Sequence, residues 1–144
     1  MTVDATETIH EFLTLLRTLR RQGRKMREAG LGGRKVSAMR HLLQAGPLTV
    51  GQLRDYLYIS DSSTSEMVRG LEEAGYVART RPTEDNRIVI VTLTPAGRAV
   101  AREVPLGGVS LLRERLKSLP AAKLVLVREA LSELLRLLEI DDEV

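Results

Sequence analysis

Apolar residues recur along this chain at two different periods, and the change of period divides it. Ile9, Phe12, Leu16, Leu19 and Met26 fall at mostly helical spacing, with Leu13 and Leu15 widening the stripe. The pattern predicts a first helix over 7–28, ended by Gly30-Leu31-Gly32-Gly33. A second helix over 34–44 carries Val36, Met39 and Leu42/Leu43 inward and stops at Gly46-Pro47. Thr49-Val50-Gly51-Gln52 has the form of a capping box and opens a third helix over 50–57, with Val50, Leu53 and Leu57 inward. After the short turn Tyr58-Ile59-Ser60, Ser60 is placed to cap a fourth helix and Asp61 sits at its positive end. Its inward positions are Thr64, Met67/Val68 and Leu71; the opposite face is polar, and Gly75 ends it.

The spacing then becomes extended. Residues 76–81 and 87–93 are rich in Val, Ile and Thr, and Pro82-Thr83-Glu84-Asp85-Asn86 between them reads as a turn, giving a β-hairpin with a polar tip flanked by arginines. Thr94-Pro95 supplies a cap and a first-turn proline for a fifth helix over 95–117. Pro105, Gly107 and Gly108 interrupt it, so a kink or break is expected near 104–109. Pro120 opens a last helix over 120–139, whose Leu124, Val127, Leu131, Leu134 and Leu138 form the narrow seam of a helix that meets another helix.

The expected architecture is mainly α with a small β-hairpin wing, as one compact domain. Residues 1–33 make an N-terminal dimerisation helix and linker, 34–97 a winged helix-turn-helix, and 98–144 C-terminal dimerisation helices. A major groove about 12 Å wide admits one helix, and residues near that helix's N-terminus reach the base edges. The small hydroxyls of Ser62, Ser63 and Ser65 allow close approach, and Arg69 can reach a base or a phosphate. Arg79, Arg81 and Arg87 on the hairpin are placed for phosphates or the minor groove. The leucine stripes at both ends would be wet in a monomer. Pairing them across a two-fold axis gives a homodimer and a pseudo-palindromic site in double-stranded DNA, with half-sites about one helical turn apart.

Composition narrows the picture. The 144 residues suit one domain, and 43 % hydrophobic with 28 % charged residues is a folded composition. With 3 % aromatic residues and no Trp, the core must be aliphatic, which favours helices packed on helices. The net charge is only +3, but residues 17–40 hold nine basic side chains against Glu28, and 129–144 hold six acids against Arg136. This reads either as a polyanion-binding face or as a solvated helix face and an acidic tail. The absence of Cys excludes disulfides, thiolate nucleophiles and thiol sensors. No membrane-length apolar run and no signal-peptide core is present, so a soluble cytoplasmic protein is expected.

Other motifs carry little. His10-Glu11 begins a zinc-site pattern whose fifth position is Thr14, and His10 and His41 are the only histidines, so no metal or cofactor is expected. Gly30-Leu31-Gly32-Gly33-Arg34-Lys35 follows a helix and lacks the ending of a phosphate loop; it reads as a linker. His41 has a structural or surface role or lines a ligand cleft near the first helix; Tyr56 and Tyr58 touch phosphate or pack in the core. No nucleophile or acid–base arrangement is readable, so no enzyme is expected.

Three runs resemble the MarR (multiple antibiotic resistance regulator) family: Pro47 through Leu53; Ile59-Ser60 through Leu71-Glu72-Glu73-Ala74-Gly75-Tyr76-Val77; and Arg79 through Arg87, continuing to Leu93-Thr94-Pro95-Ala96-Gly97. The pair Asp85-x-Arg87 followed by Leu93-Thr94-x-x-Gly97 is the most specific element. The resemblance implies that Ser62, Ser63, Ser65 and Glu66 fall at recognition-helix contacts, that Arg87 is the wing arginine and that Asp85 supports it. A carboxylate two residues away can hold a guanidinium in one geometry. The resemblance further implies a ligand-responsive repressor that binds operator DNA as a homodimer, blocks polymerase, and is weakened when a small-molecule effector shifts half-site spacing. Two departures stand out. Arg69-Gly70 replaces the usual acid-then-base pair, and a mid-helix Gly costs roughly 1 kcal/mol relative to Ala, which close packing against another backbone would explain. Pro105, Gly107 and Gly108 interrupt a helix that the family usually keeps whole. The rival reading is a winged-helix protein-interaction module without DNA binding, since Glu66 and Glu73 offset Arg69.

Overall fold

The computed structural model describes residues 2–28 and 30–139. Its elements run α1 (Ala5–Glu28), α2 (Gly33–Ala45), β1 (Leu48–Thr49), α3 (Val50–Leu57), α4 (Asp61–Glu73), β2 (Val77–Thr80), β3 (Ile90–Leu93), α5 (Pro95–Glu103), α6 (Gly108–Leu116) and α7 (Ala121–Leu138). They fall into two compact units, one ending at Ser110 and the other beginning at Leu111.

Local chemistry sets the helix starts in the first unit. The Thr49 hydroxyl accepts from the Gln52 N–H at 3.0 Å, and the Gln52 side chain accepts from the Thr49 N–H at 2.9 Å, closing the expected capping box at α3. Ser60 caps α4 by accepting from the Ser63 N–H. The inward faces then meet. Met39 and Leu42 of α2, Leu53 and Leu57 of α3, and Met67, Val68 and Leu71 of α4 share one core with Leu48, Val77, Val91 and Leu93. Thr64 is fully buried, and its hydroxyl donates to the Ser60 carbonyl at 2.8 Å, which satisfies it.

The sheet is antiparallel in the order β1-β3-β2. Val77 lies opposite Leu93 and Thr80 opposite Ile90, so the expected hairpin forms with shorter strands than its Val/Ile/Thr runs suggested. It gains a third strand, Leu48 opposite Val91 and Thr49 opposite Ile90, and the Val50 N–H donates to the Val89 carbonyl just beyond.

The Leu93-Thr94-x-x-Gly97 run has a steric explanation. Thr94 donates its N–H to the Tyr76 carbonyl at 3.0 Å and its hydroxyl to the Gly75 carbonyl at 2.6 Å, while accepting from the Gly97 N–H at 3.1 Å. These bonds draw α5 onto the entry to β2 so closely that a Cβ at position 97 would lie 2.0 Å from the Tyr76 oxygen. Only glycine fits there.

The fifth predicted helix is broken where the sequence suggested. α5 ends at Glu103 and α6 begins at Gly108. The Gly108 N–H donates to the Gln22 side chain of α1 at 2.7 Å, and a Cβ at Gly107 would press on Met26 Sδ at 3.3 Å. The Arg40 guanidinium donates to the Val104 carbonyl, satisfying an acceptor that the break leaves open.

The terminal stripes are different. Of the α1 stripe only Met26 is buried, while Ile9, Leu13 and Leu15 are exposed. In α7, Leu124, Val127, Leu131, Leu134 and Leu138 are all exposed within the single chain. No helix among the described residues is long and apolar enough to cross a membrane.

Candidate nucleic-acid interface

The turn between α3 and α4 is pinned from both sides. Tyr58 caps α3 in the left-handed region at φ 56°, and its side chain stands 95 % exposed. Arg54 of α3 reaches across the turn to Asp61 in the first turn of α4 at 2.7 Å, and also bonds its neighbour Asp55. These two carboxylates hold the Arg54 pKa above its ordinary value, the Asp61 hydrogen bond contributing most. Ser60, Ser62 and Ser63 form a hydroxyl cluster at the α4 N-terminus, with the Ser60 hydroxyl donating to Ser63 Oγ at 3.0 Å.

Along α4 the buried positions leave Ser62, Ser65, Glu66 and Arg69 exposed, with Ser63 half-buried in the cap. Gly70 does not face another backbone, contrary to the packing expected of it. A Cβ there would meet the Lys35 ammonium at 3.2 Å, the far end of a flexible side chain.

Hydrogen bonds hold the wing. Asp85 accepts from the Arg87 backbone N–H at 3.0 Å and from its Nε at 3.1 Å. The guanidinium, and after it the backbone N–H, holds the Asp85 carboxyl below the usual carboxylate range. Arg87 is fixed by this pair yet its side chain stays 91 % exposed. Arg81 donates to the Asn86 carbonyl and closes the tip. Arg79 is committed elsewhere: its Nε and Nη2 bond both oxygens of Glu72, at 3.0 and 2.9 Å, tying the end of α4 to β2. The Arg79 hydrogen bond lowers the Glu72 pKa and the same contact raises that of Arg79.

Two clefts flank α4. One, of about 560 Å3, brings Ser65 and Val68 together with Arg79, Arg81 and Arg87. The other, of about 720 Å3, takes Ser63, Glu66, Arg69, Gly70 and Glu73 on the far flank. The structure therefore gathers Ser65 with the three wing arginines and Asp85 with Arg87, and leaves Ser63, Glu66 and Arg69 on the other side. Tyr56 stacks on His41, ring centroids 3.6 Å apart, which gives both a packing role. Sequence reasoning missed the Arg54–Asp61 and Arg79–Glu72 pairs. Each joins residues seven apart across an element boundary, and an acid near an arginine at that spacing was the only available signal.

Residues 33–89, from the start of α2 to the wing tip, match the model of the MarR family. Over this stretch the chain is similar to the MarR family. Among curated relatives, YcgE of Bacillus subtilis (strain 168), described as an uncharacterized HTH-type transcriptional regulator, is 42 % identical over 60 residues, 41 % of this chain and 39 % of that protein. The matched stretches span 39 to 64 % of the length of such relatives. The fold is shared with AbsC, a MarR family transcriptional regulator from Streptomyces coelicolor. Its TM-score is 0.67 at 22 % identity, covering 96 % of this chain and 97 % of that one. MepR of S. aureus, solved as a complex with DNA, gives a TM-score of 0.63 at 16 % identity, covering 95 % and 100 %. In the MarR pattern the stretch matched here contains both the capped α4 and the Asp85–Arg87 wing tip.

Proposed function

We propose that this chain is a sequence-specific, double-stranded-DNA-binding transcription regulator that acts as a homodimeric, ligand-responsive repressor. One observation carries the reading: Ser65 of α4 and the exposed Arg87 guanidinium open onto the same groove. A helix seated in the major groove would place Ser62, Ser65, Glu66 and Arg69 toward base edges, while Arg81 and Arg87 meet phosphates or the minor groove. Asp85 pre-orients Arg87, and Arg79, held by Glu72, sets the angle between helix and wing. Ser63 acts through the cap. Paired recognition helices would cover an operator and block polymerase, and an effector that changes their separation would weaken binding. This reading needs no catalysis and no cofactor, and it places the protein in the cytoplasm with the chromosome.

Selection of bound duplexes from a random library tests it. Pseudo-palindromic sites are expected, each wrong base pair weakening binding by about 1–3 kcal/mol. Arg87→Ala should weaken all sequences alike, whereas Ser65→Ala should change the preferred bases. No enrichment, or unchanged binding in both variants, would remove the assignment. Duplex binding without salt dependence would favour the protein-interaction alternative.

A further inference from the structure

The cleft on the far flank of α4 is lined by four cations: Arg27 near the end of α1, Arg34 and Lys35 in the first turn of α2, and Arg69 of α4. Around the wing and the turn, arginines are held by acids, Arg54 by Asp61, Arg79 by Glu72 and Arg87 by Asp85. The four in this cleft have no such partner among the described residues, although Glu66 and Glu73 line the same space.

Their placement opposes the helix they sit on. The α2 N-terminus has no acid in its first turn and no side-chain cap, and Arg34 and Lys35 add positive charge to its positive end. A bound oxyanion would turn that repulsion into attraction. The geometry also names the anion. Positions 63, 66, 70 and 73 of α4 face this cleft, and 65 and 68 face the wing groove. At the helical period these sets lie on nearly opposite flanks, with Ser62 between them and Arg69 at the edge of the far cleft. A helix in the major groove has a phosphate strand on either side.

We propose that Arg27, Arg34 and Lys35 bind backbone phosphates of the duplex on the flank of α4 away from the wing, so that the recognition helix is gripped from both sides. The proposal rests on the DNA-binding reading above.

The test is binding of the full chain, over a salt series, to duplexes enriched from a random library. The chains compared are the unaltered protein, the double variant Arg34→Gln/Lys35→Gln, the single variant Arg27→Gln on a different helix, and Arg87→Ala. Each phosphate contact contributes about 0.9 to the slope of log K against log salt, so the double variant should lower it by about 2, and Arg27→Gln by about 1, per bound protomer. The ranking of base sequences should be preserved. Because the double variant relieves repulsion at a helix end, its unfolding midpoint should hold or rise, which separates lost contacts from lost fold. Slopes equal to the unaltered chain's, with Arg87→Ala still lowering its own, overturn the proposal and leave the DNA-binding reading standing. So does a changed base ranking at constant slope. Absence of salt-dependent duplex binding by the unaltered chain overturns both.

Discussion

Two glycines show how differently the same residue type can be required. At Gly97 the neighbour is a backbone carbonyl 2.0 Å from where a Cβ would lie, and that carbonyl is fixed by accepting from Thr94. Neither side can yield without separating α5 from β2. At Gly70 the neighbour is the Lys35 ammonium at 3.2 Å, which can rotate away. The glycine therefore keeps its helix-interior cost without a rigid packing reason. Opposite signs are expected in urea unfolding. Gly97→Ala should destabilise by about 1–3 kcal/mol or more, as overpacking does, and Gly70→Ala should stabilise by up to roughly 1 kcal/mol. A stable Gly97→Ala protein would remove the steric account of the Leu93-Thr94-x-x-Gly97 run.

Within the elements, legibility followed the range of the interactions. Helix starts were readable because caps are local: Thr49 with Gln52, and Ser60 with Ser63, act within one turn. The buried faces of α3 and α4 were readable because period fixes a face. Strand β1 was not, since two residues form a strand only when Val91 and Ile90 arrive from forty residues away in sequence. The break at 104–107 was expected from Pro105 and Gly107, but its use, a Gly108 N–H bonded to Gln22 of α1, depends on packing that spacing does not encode. Asp85 and Arg87 were paired correctly because two residues in a turn cannot avoid each other. Arg79, expected at phosphates or the minor groove, also bonds Glu72, a pairing that nothing local announces. The wing also carries a pH signature. Arg87 lowers the Asp85 pKa, so the folded value lies below the unfolded one. The pair's stabilisation is then complete above the unfolded value and is lost as pH falls through the folded one. The Arg87 side-chain NMR signals should stay constant through neutral pH and move only in acid below the usual carboxylate range, and Asp85→Asn should abolish the movement. A midpoint near neutrality would show that the wing is held by something else.

At the scale of the molecule, the exposed apolar stripes of α1 and α7 bear on the proposed homodimer. Apolar side chains contribute about 1.5–3 kcal/mol each when fully buried, so covering the half-exposed stripe of five on α7 is worth roughly 5 kcal/mol per chain and about 10 per pair. Association costs an estimated 4–15 kcal/mol. The α7 stripe alone is therefore marginal, and the exposed Ile9, Leu13 and Leu15 of α1 are needed to tip the balance. Two consequences separate this from packing within one chain. Light scattering should give twice the 16.0 kDa of a single chain, and either Leu131→Asp in α7 or Leu13→Asp in α1 should yield monomers while circular dichroism and the unfolding of the first unit persist. Such a monomer keeps one recognition helix and one wing. It should bind a half-site with about half the salt slope of the dimer, since slope counts phosphates neutralised, and it should lose the preference for two half-sites spaced by one turn. A monomeric variant that retained the full slope and the paired spacing would mean that the stripes serve some purpose other than dimerisation.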